Sequence, residues 1–150
     1  MSNVKPVNGS AEAFFEATDP ALSALKYAQA LQQRCRDVGF DWHETQPVLD
    51  KIKEEVDEVQ QELDASPVDK GRLREEIGDA LFAIVNLARH MDIDADHALR
   101  EASEKFRHRF EHVVALANEE GRALAGYDLP SLESFWVKAK AAELAKQKSR

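Results

Sequence analysis

The fold is decided by EIGDALFAIVNL, residues 76–87, which is apolar along almost its whole length. We predict that this stretch lies in a helix that starts near Val68 or Asp69 and runs to Met91. From Ile77 to Leu87 the apolar side chains cover nearly all sides of such a helix, which is typical of a helix in the middle of a bundle. The stretch therefore predicts a central helix with others packed around it.

Four further helices are predicted from apolar side chains at helical spacing and from helix start and stop signals. They run from Asp19-Pro20 to Gly39, from Thr45 or Gln46 with Pro47 to Ala65-Ser66-Pro67, from Asp94 to Gly121, and from Ser131 onwards. No stretch alternates with a period of two, so no sheet is expected. We predict an all-α fold, a bundle of about five helices. One domain would cover residues 19–145, after a flexible arm at 1–18 and before a frayed tail at 146–150.

Length and composition restrict the class of protein. A chain of 150 residues suits one domain with a hydrophobic core, and its single cysteine cannot form an internal disulfide. Its formal net charge of −8 argues against a nucleic acid as partner, because such binding rests on Lys and Arg. No apolar run approaches the roughly 18 residues that would cross a membrane, and the N-terminus lacks the apolar core of a signal peptide. A cytoplasmic protein without a membrane partner is expected.

Carboxylates form the first candidate site. On the second helix Glu55, Glu58 and Glu62 share one flank of the apolar stripe, which alone is typical of a solvated face. On the third helix Glu76 and Asp79 lie three residues apart in an apolar segment, where a carboxylate is costly unless it is paired or bound to a metal. If the two helices pack antiparallel, these carboxylates converge and need a cation among them.

The ligand type indicates which metal this would be. The cluster offers only oxygen ligands and no Cys or His, which suits Mg²⁺, Mn²⁺ or Ca²⁺ and argues against zinc. We favour Mg²⁺, with Mn²⁺ as a possible substitute, because Mg²⁺ typically binds a few carboxylates together with substrate phosphates.

Cations and aromatic side chains could hold the remainder of a nucleotide. Lys105 and Arg109 share a helix face and could bind phosphate oxygens, although ordinary surface charge has the same spacing. Trp136 and Lys140 repeat this spacing on the last helix, where Trp136 could be core or ligand contact. Trp42, with its neighbour Phe40, could stack on a base or pack over the end of the bundle.

Together these motifs closely resemble the MazG nucleoside triphosphate pyrophosphohydrolases over roughly residues 22–143. The matching segments are Gly39-Phe40-Asp41-Trp42, Glu54-Glu55-x-x-Glu58, Glu76-x-x-Asp79 with Leu81-Phe82, Val85-Asn86-Leu87-Ala88-Arg89-His90, and Lys105-Phe106-Arg107-His108-Arg109-Phe110. The resemblance implies an all-α dimer that hydrolyses a nucleoside triphosphate, by water attack between the α- and β-phosphorus, to a monophosphate and pyrophosphate. Many relatives carry two such domains, and this chain has one with both acidic motifs complete.

The resemblance also implies roles for single residues. Glu55, Glu58, Glu76 and Asp79 become magnesium ligands, and Glu54 becomes a candidate base or a residue that supports the ligands. Lys105, Arg109, Trp136 and Lys140 match positions that contact nucleotide. Two alternatives stay open: a narrower pyrophosphatase for particular (d)NTPs, phosphoribosyl-ATP or an alarmone, and a noncatalytic acidic helical module that only binds.

Overall fold

The computed structural model describes residues 10–149, and within that range the fold is all-α, as predicted. Five helices occur and no strand is found among the described residues: α1 (Ala24–Asp37), α2 (Gln46–Asp64), α3 (Lys70–His90), α4 (Ala95–Glu119) and α5 (Leu129–Lys148). Short 3₁₀ turns cover Glu12–Phe15 and Leu124–Gly126. No helix of the described part combines the length and the apolar character needed to cross a membrane.

The chain divides into two compact units, one up to Asp96 and one from His97. The first contains α1, α2 and α3, and the second contains almost all of α4 together with α5. The expected single domain over residues 19–145 stays a prediction.

In the first unit, α2 and α3 form an extensively packed pair, and α1 packs against α3. Only a short turn joins α2 to α3, and Arg72 near the start of α3 lies 3.9 Å from Glu62 near the end of α2. This is the antiparallel arrangement that the short connection predicts. The buried apolar side chains of this unit are small or β-branched, which allows close packing of the helices: Val48, Ala80, Ala83 and Val85.

Within the first unit, the predicted central helix α3 is packed by its neighbours on two sides and is uncovered on a third. Ile77, Leu81 and Ile84 lie on one stripe of α3, and Leu81 is 53% exposed. Within the first unit the helices that pack against α3 are α1 and α2, so this third face has no cover. An apolar stripe of this kind is typical of a surface that binds another protein.

The N-terminal boundary of α1 differs from the prediction. The Asp19 side chain accepts a hydrogen bond of 2.9 Å from the backbone N–H two residues on, which closes a local turn, and the helix begins only at Ala24. Residues 1–9 of the expected flexible arm lie outside the described residues. Its later part is held: Arg34 donates to the carbonyl of Phe14 at 2.9 Å and stacks on that ring.

The boundaries of α5 also differ. Asp128, and not Ser131, is the N-cap, because its side chain accepts a hydrogen bond of 3.0 Å from the backbone N–H of Ser131. Pro130 stands in the first turn, where its missing N–H costs nothing. At the other end the expected frayed tail from Lys146 is helical as far as Lys148.

In the second unit the core is built by α4 and α5. Val113 and Ala117 on α4 meet Phe135 and Ala139 on α5, and all four are buried. Tyr127 packs edge-on against Phe135 and donates its hydroxyl to the carbonyl of Ala117 at 2.9 Å. This hydrogen bond satisfies a carbonyl in the last turns of α4, where intrahelical partners run out.

Asp69 caps α3, so we expect Asp69→Ala to lower the free energy of unfolding by about 1 kcal/mol. Its carboxylate accepts hydrogen bonds from the backbone N–H groups of Gly71 at 2.9 Å and Arg72 at 3.2 Å, and alanine would leave both without a partner. Urea denaturation of both proteins measures the difference. Asp69→Asn is the control, because asparagine caps as well as aspartate. An equal loss in both variants would contradict the capping role.

Candidate active site

The carboxylates of α2 and α3 converge in the first unit. Glu55 on α2 and Glu76 and Asp79 on α3 each place one oxygen so that all three atoms lie within 4.8 Å of one another. Residues three apart on a helix share a face, so Glu76 and Asp79 both reach towards α2. The predicted meeting of the two acidic motifs is therefore present in the fold.

Burial makes this acidic cluster unusual. Glu55 is only 6% exposed, and one oxygen of Glu55 and one of Glu76 are buried with no hydrogen-bond partner among residues 10–149. Buried oxygens without a donor are costly, and each such case calls for a specific explanation. A divalent cation supplies what both oxygens lack, so the donor set fits a hard metal ion such as Mg²⁺.

Glu58 adds a fourth carboxyl group to this cluster. Hydrogen bonding and repulsion from Glu55, with a smaller contribution from Glu76, raise the pKa of Glu58 above its usual value of 4.5. Carboxyl groups that lie this close together repel one another when they are ionised, and a cation relieves the repulsion.

One cation already lies beside the cluster, and sequence reasoning missed it. Lys51 Nζ lies 2.9 Å from Glu55 Oε1 and 3.4 Å from Glu54 Oε1. Its position four residues before Glu55, on the same face of α2, was the signal that could have identified it. Glu54 itself is exposed and lies outside the group of three converging oxygens.

An aromatic pocket of about 490 Å³ opens in the same unit. It is enclosed by α1, α3 and the segment between α1 and α2, and Trp42, 44% exposed, forms part of its wall. The other lining residues are Phe15, Tyr27, Leu31, Gln32, Cys35, Phe40, Asp41, Phe82, Asn86 and Arg89. Of the predicted substrate contacts, Trp42 is the one that the structure places in this pocket.

An ion pair fixes the aromatic loop to α3. Arg89, 5% exposed, donates to both oxygens of Asp41 at 2.7 and 2.9 Å. The hydrogen bond from Arg89 holds the pKa of Asp41 below its usual value. The next residue, His90, donates from its Nε2 to the carbonyl of Trp42 at 2.9 Å. Phe40 and Trp42, on either side of Asp41, are thus anchored to the helix that carries Glu76 and Asp79.

The basic residues predicted to bind substrate lie in the second unit. Arg109 donates to both oxygens of Glu143, at 2.7 Å for the shortest contact, and its guanidinium lies over the Trp136 ring. Glu143 raises the pKa of Arg109, which stays charged. Trp136 also contacts Phe106, with ring centroids 5.3 Å apart.

The two lysines of the predicted set are exposed. Lys105 lines a shallow basic pocket together with His108, Glu143, Lys146 and Gln147. Lys140 lies on α5, one turn after Trp136. Within the second unit, both ammonium groups are accessible to a ligand, whereas Arg109 already has an anionic partner.

Comparison with known proteins agrees with this geometry. The model of the MazG nucleotide pyrophosphohydrolase domain matches residues 43–114, which contain all four acidic residues of the cluster. The nucleoside triphosphate pyrophosphohydrolase of Escherichia coli K12 is 46% identical over 124 residues, which cover 83% of this chain and 47% of that protein.

Two further relatives are similar to this chain over part of their own length. The nucleoside triphosphate pyrophosphohydrolase/pyrophosphatase MazG of Thermotoga maritima is 38% identical over 122 residues, or 81% of this chain and 46% of that protein. The uncharacterized protein YabN of Bacillus subtilis is 42% identical over 71 residues, or 47% of this chain and 14% of that protein. The chain spans about half the length of the curated pyrophosphohydrolases it matches. With a matching domain model and these two acidic motifs facing each other, residues 43–114 of the chain form a MazG nucleotide pyrophosphohydrolase domain.

Proposed function

We propose that this chain hydrolyses nucleoside triphosphates to a nucleoside monophosphate and pyrophosphate. The observation that carries the proposal is the cluster of Glu55, Glu76 and Asp79, with two buried oxygens that lack a donor. The names of the pyrophosphohydrolase relatives from Escherichia coli and Thermotoga maritima support the same chemistry. Water attacks one of the two phosphorus atoms of the α–β anhydride, the bond from that phosphorus to the bridging oxygen breaks, and the products are the monophosphate and pyrophosphate.

We assign the metal site to Glu55, Glu58, Glu76 and Asp79, with Mg²⁺ as the ion and Mn²⁺ as a substitute. A bound Mg²⁺ would neutralise phosphate charge and make water more nucleophilic. The buried Glu55 and the half-buried Glu76 supply the fixed part of the site, and the exposed Asp79 is accessible from solvent, where a substrate arrives. Glu58 completes the oxygen set.

Glu54 fits a supporting role better than that of the base. It is exposed and pairs with Lys51, and Lys51 in turn contacts Glu55. Through this chain of contacts Glu54 positions the ammonium group beside a metal ligand.

The pocket around Trp42 is the proposed site for the base, because aromatic side chains stack on any nucleobase. Lys105 and Lys140 remain proposed phosphate contacts, since both are exposed cations. Arg109 and Trp136 remain proposed substrate contacts as well. A phosphate that binds Arg109 through Nε and Nη2 has to replace Glu143, which accepts hydrogen bonds from these two nitrogens.

Release of pyrophosphate from ribo- and deoxynucleoside triphosphates, with and without Mg²⁺, tests the proposal. We expect equal amounts of monophosphate and pyrophosphate, no inorganic phosphate, and activity only with Mg²⁺ or Mn²⁺. Turnover of a single nucleotide class, or of phosphoribosyl-ATP or an alarmone alone, would establish a narrower pyrophosphatase. Absence of turnover for all of them, with nucleotide still bound, would make the chain a binding module.

The uncovered stripe of α3 leads us to propose a homodimer in which a second copy packs on Ile77, Leu81 and Ile84. Leu81→Glu places a charge in the middle of this stripe, so we expect it to shift the protein from dimer to monomer. Light scattering coupled to size-exclusion chromatography measures the mass. Leu144→Glu on α5, equally exposed at 56%, is the control and should remain dimeric. A monomeric wild type would refute the proposal.

A further inference from the structure

Gln32 on α1 is a buried polar side chain that none of the roles above involves. It is 7% exposed and lines the aromatic pocket. Its Nε2 donates to the backbone carbonyl of Phe82 at 2.9 Å. A carbonyl only accepts, so this bond fixes which end of the amide is the nitrogen. The other end, Oε1, is buried without a hydrogen-bond partner in the part of the chain that the structure describes.

Asn86, one helical turn after Phe82 on α3, lines the same pocket. Its Oδ1 accepts a hydrogen bond of 2.9 Å from Arg89 Nε, which can only donate. This contact fixes the orientation of the Asn86 amide, so its Nδ2 amino group is a donor that it can offer to a ligand. Gln32 and Asn86 together give the pocket one acceptor and one donor of fixed identity, beside Asp41 and Arg89, which bond to each other.

We propose that Gln32 Oε1 accepts a hydrogen bond from the exocyclic amino group of a nucleobase, so that cytosine and adenine nucleotides are preferred to their deaminated counterparts. This inference rests on the proposed function, because it takes the pocket as the base site. The amino group of cytosine or adenine is a donor, and the adjacent ring nitrogen is an acceptor that suits Asn86 Nδ2. Both fixed groups of the pocket are then satisfied.

Uracil and hypoxanthine carry a carbonyl oxygen where cytosine and adenine carry the amino group. In the same position that oxygen would face Gln32 Oε1, and two acceptors repel. Uracil also has a ring N–H that could donate to Gln32 Oε1. Two carbonyl oxygens flank this N–H, and the contact would bring them close to Oε1. A buried acceptor left without its donor is the condition under which binding sites discriminate most strongly.

The pocket and the acidic cluster are positioned to hold one nucleotide. Phe82 and Asn86 follow Asp79 by three and seven residues, so all three lie on one face of α3. With a rise of 1.5 Å per residue, Asn86 lies about 10 Å along the helix from Asp79. A base beside Asn86 and phosphates beside Asp79 are then joined along a single helix face.

Two matched substrate pairs test the inference: CTP with UTP, and ATP with ITP, which differ at the amino group and its adjacent ring nitrogen. In wild type we expect kcat/KM to favour the amino member of each pair by about tenfold or more. In Gln32→Met, which keeps the length and removes the acceptor, both ratios should fall towards one. Gln33→Met is the matched control, because Gln33 is the next residue on α1 and bonds to Asp37 outside the pocket. It should keep both ratios.

The outcomes separate this inference from the proposed function. Turnover of all four nucleotides without an amino preference in wild type, or a preference that survives in Gln32→Met, would overturn the role of Gln32 and leave the pyrophosphohydrolase standing. If no nucleotide is hydrolysed, the proposed function fails, and the affinities of CMP against UMP and AMP against IMP, followed by tryptophan fluorescence, still decide the amino preference. The kcat/KM ratios of wild type are measured without any variant. They can therefore refute the inference even if Gln32→Met does not fold.

Discussion

Asp79→Asn should reduce kcat by about 1000-fold, because it removes one charged group from the proposed metal site. The side chain is exposed and asparagine has nearly the same shape, so the substitution creates no cavity. We expect the free energy of unfolding without metal to change by no more than about 0.5 kcal/mol. Pyrophosphate release and urea denaturation measure the two quantities separately.

The same variant should also lose its response to Mg²⁺. Wild type is expected to gain thermal stability with increasing Mg²⁺, because a ligand that binds only the folded state stabilises it. Asp57→Asn is the control: Asp57 lies on α2 between Glu55 and Glu58, is exposed, and is outside the converging group. It should keep both activity and the response to Mg²⁺. An Asp79→Asn protein with full activity would remove Asp79 from the metal site.

Arg89→Leu should lower the free energy of unfolding by about 3 kcal/mol, because it leaves the Asp41 carboxylate without its buried partner. Arg107→Leu is the matched control. Arg107 pairs with Glu104 and Glu111, which lie three residues before it and four residues after it on the exposed surface of α4. Exposed pairs of this kind contribute at most about 1 kcal/mol. Guanidinium denaturation of the three proteins gives the comparison.

The effect of Arg89 should depend on pH. The pKa of Asp41 is lowered in the folded protein, so the pair stabilises the fold above the unfolded pKa of about 3.8, and this contribution is lost as the pH falls through the lower folded pKa. The difference between wild type and Arg89→Leu should therefore shrink at acid pH. In the double variant Arg89→Leu with Asp41→Asn, part of the loss should be recovered. Equal losses at pH 7 for Arg89→Leu and Arg107→Leu would contradict the buried ion pair.

The sequence predicted those features that depend on neighbouring residues in the chain. Pro47 near the start of α2, Asp69 at the start of α3 and the turn at Ser66-Pro67 were all identified, because caps and turns are determined locally. The meeting of Glu55 with Glu76 and Asp79 was also predicted, since a short connection leaves α2 and α3 little choice but to pack antiparallel.

Features that depend on distant parts of the chain were not predicted. The apolar composition of α3 does not say how much of the helix the same chain covers, and the exposed Leu81 shows that part of it is left uncovered. The pairing of Arg109 with Glu143 joins residues on two helices, and their separation of 34 residues lies beyond any helix-spacing rule. A helix rich in Gln and Arg suggests that Gln32 lies on the surface. Its burial depends on the contact with the carbonyl of Phe82, 50 residues away in the chain.

The attachment of Asp41 to Arg89 also affects the entropy of ligand binding. Fixing the backbone of a flexible loop costs roughly 1–2 kcal/mol per residue, and a ligand that orders a loop loses that much of its affinity. Here Phe40 and Trp42 flank a residue that is held at both oxygens before any ligand arrives. Folding therefore already orders the backbone around Asp41, and we expect a ligand that binds in the pocket to lose less of its affinity to the ordering of this loop.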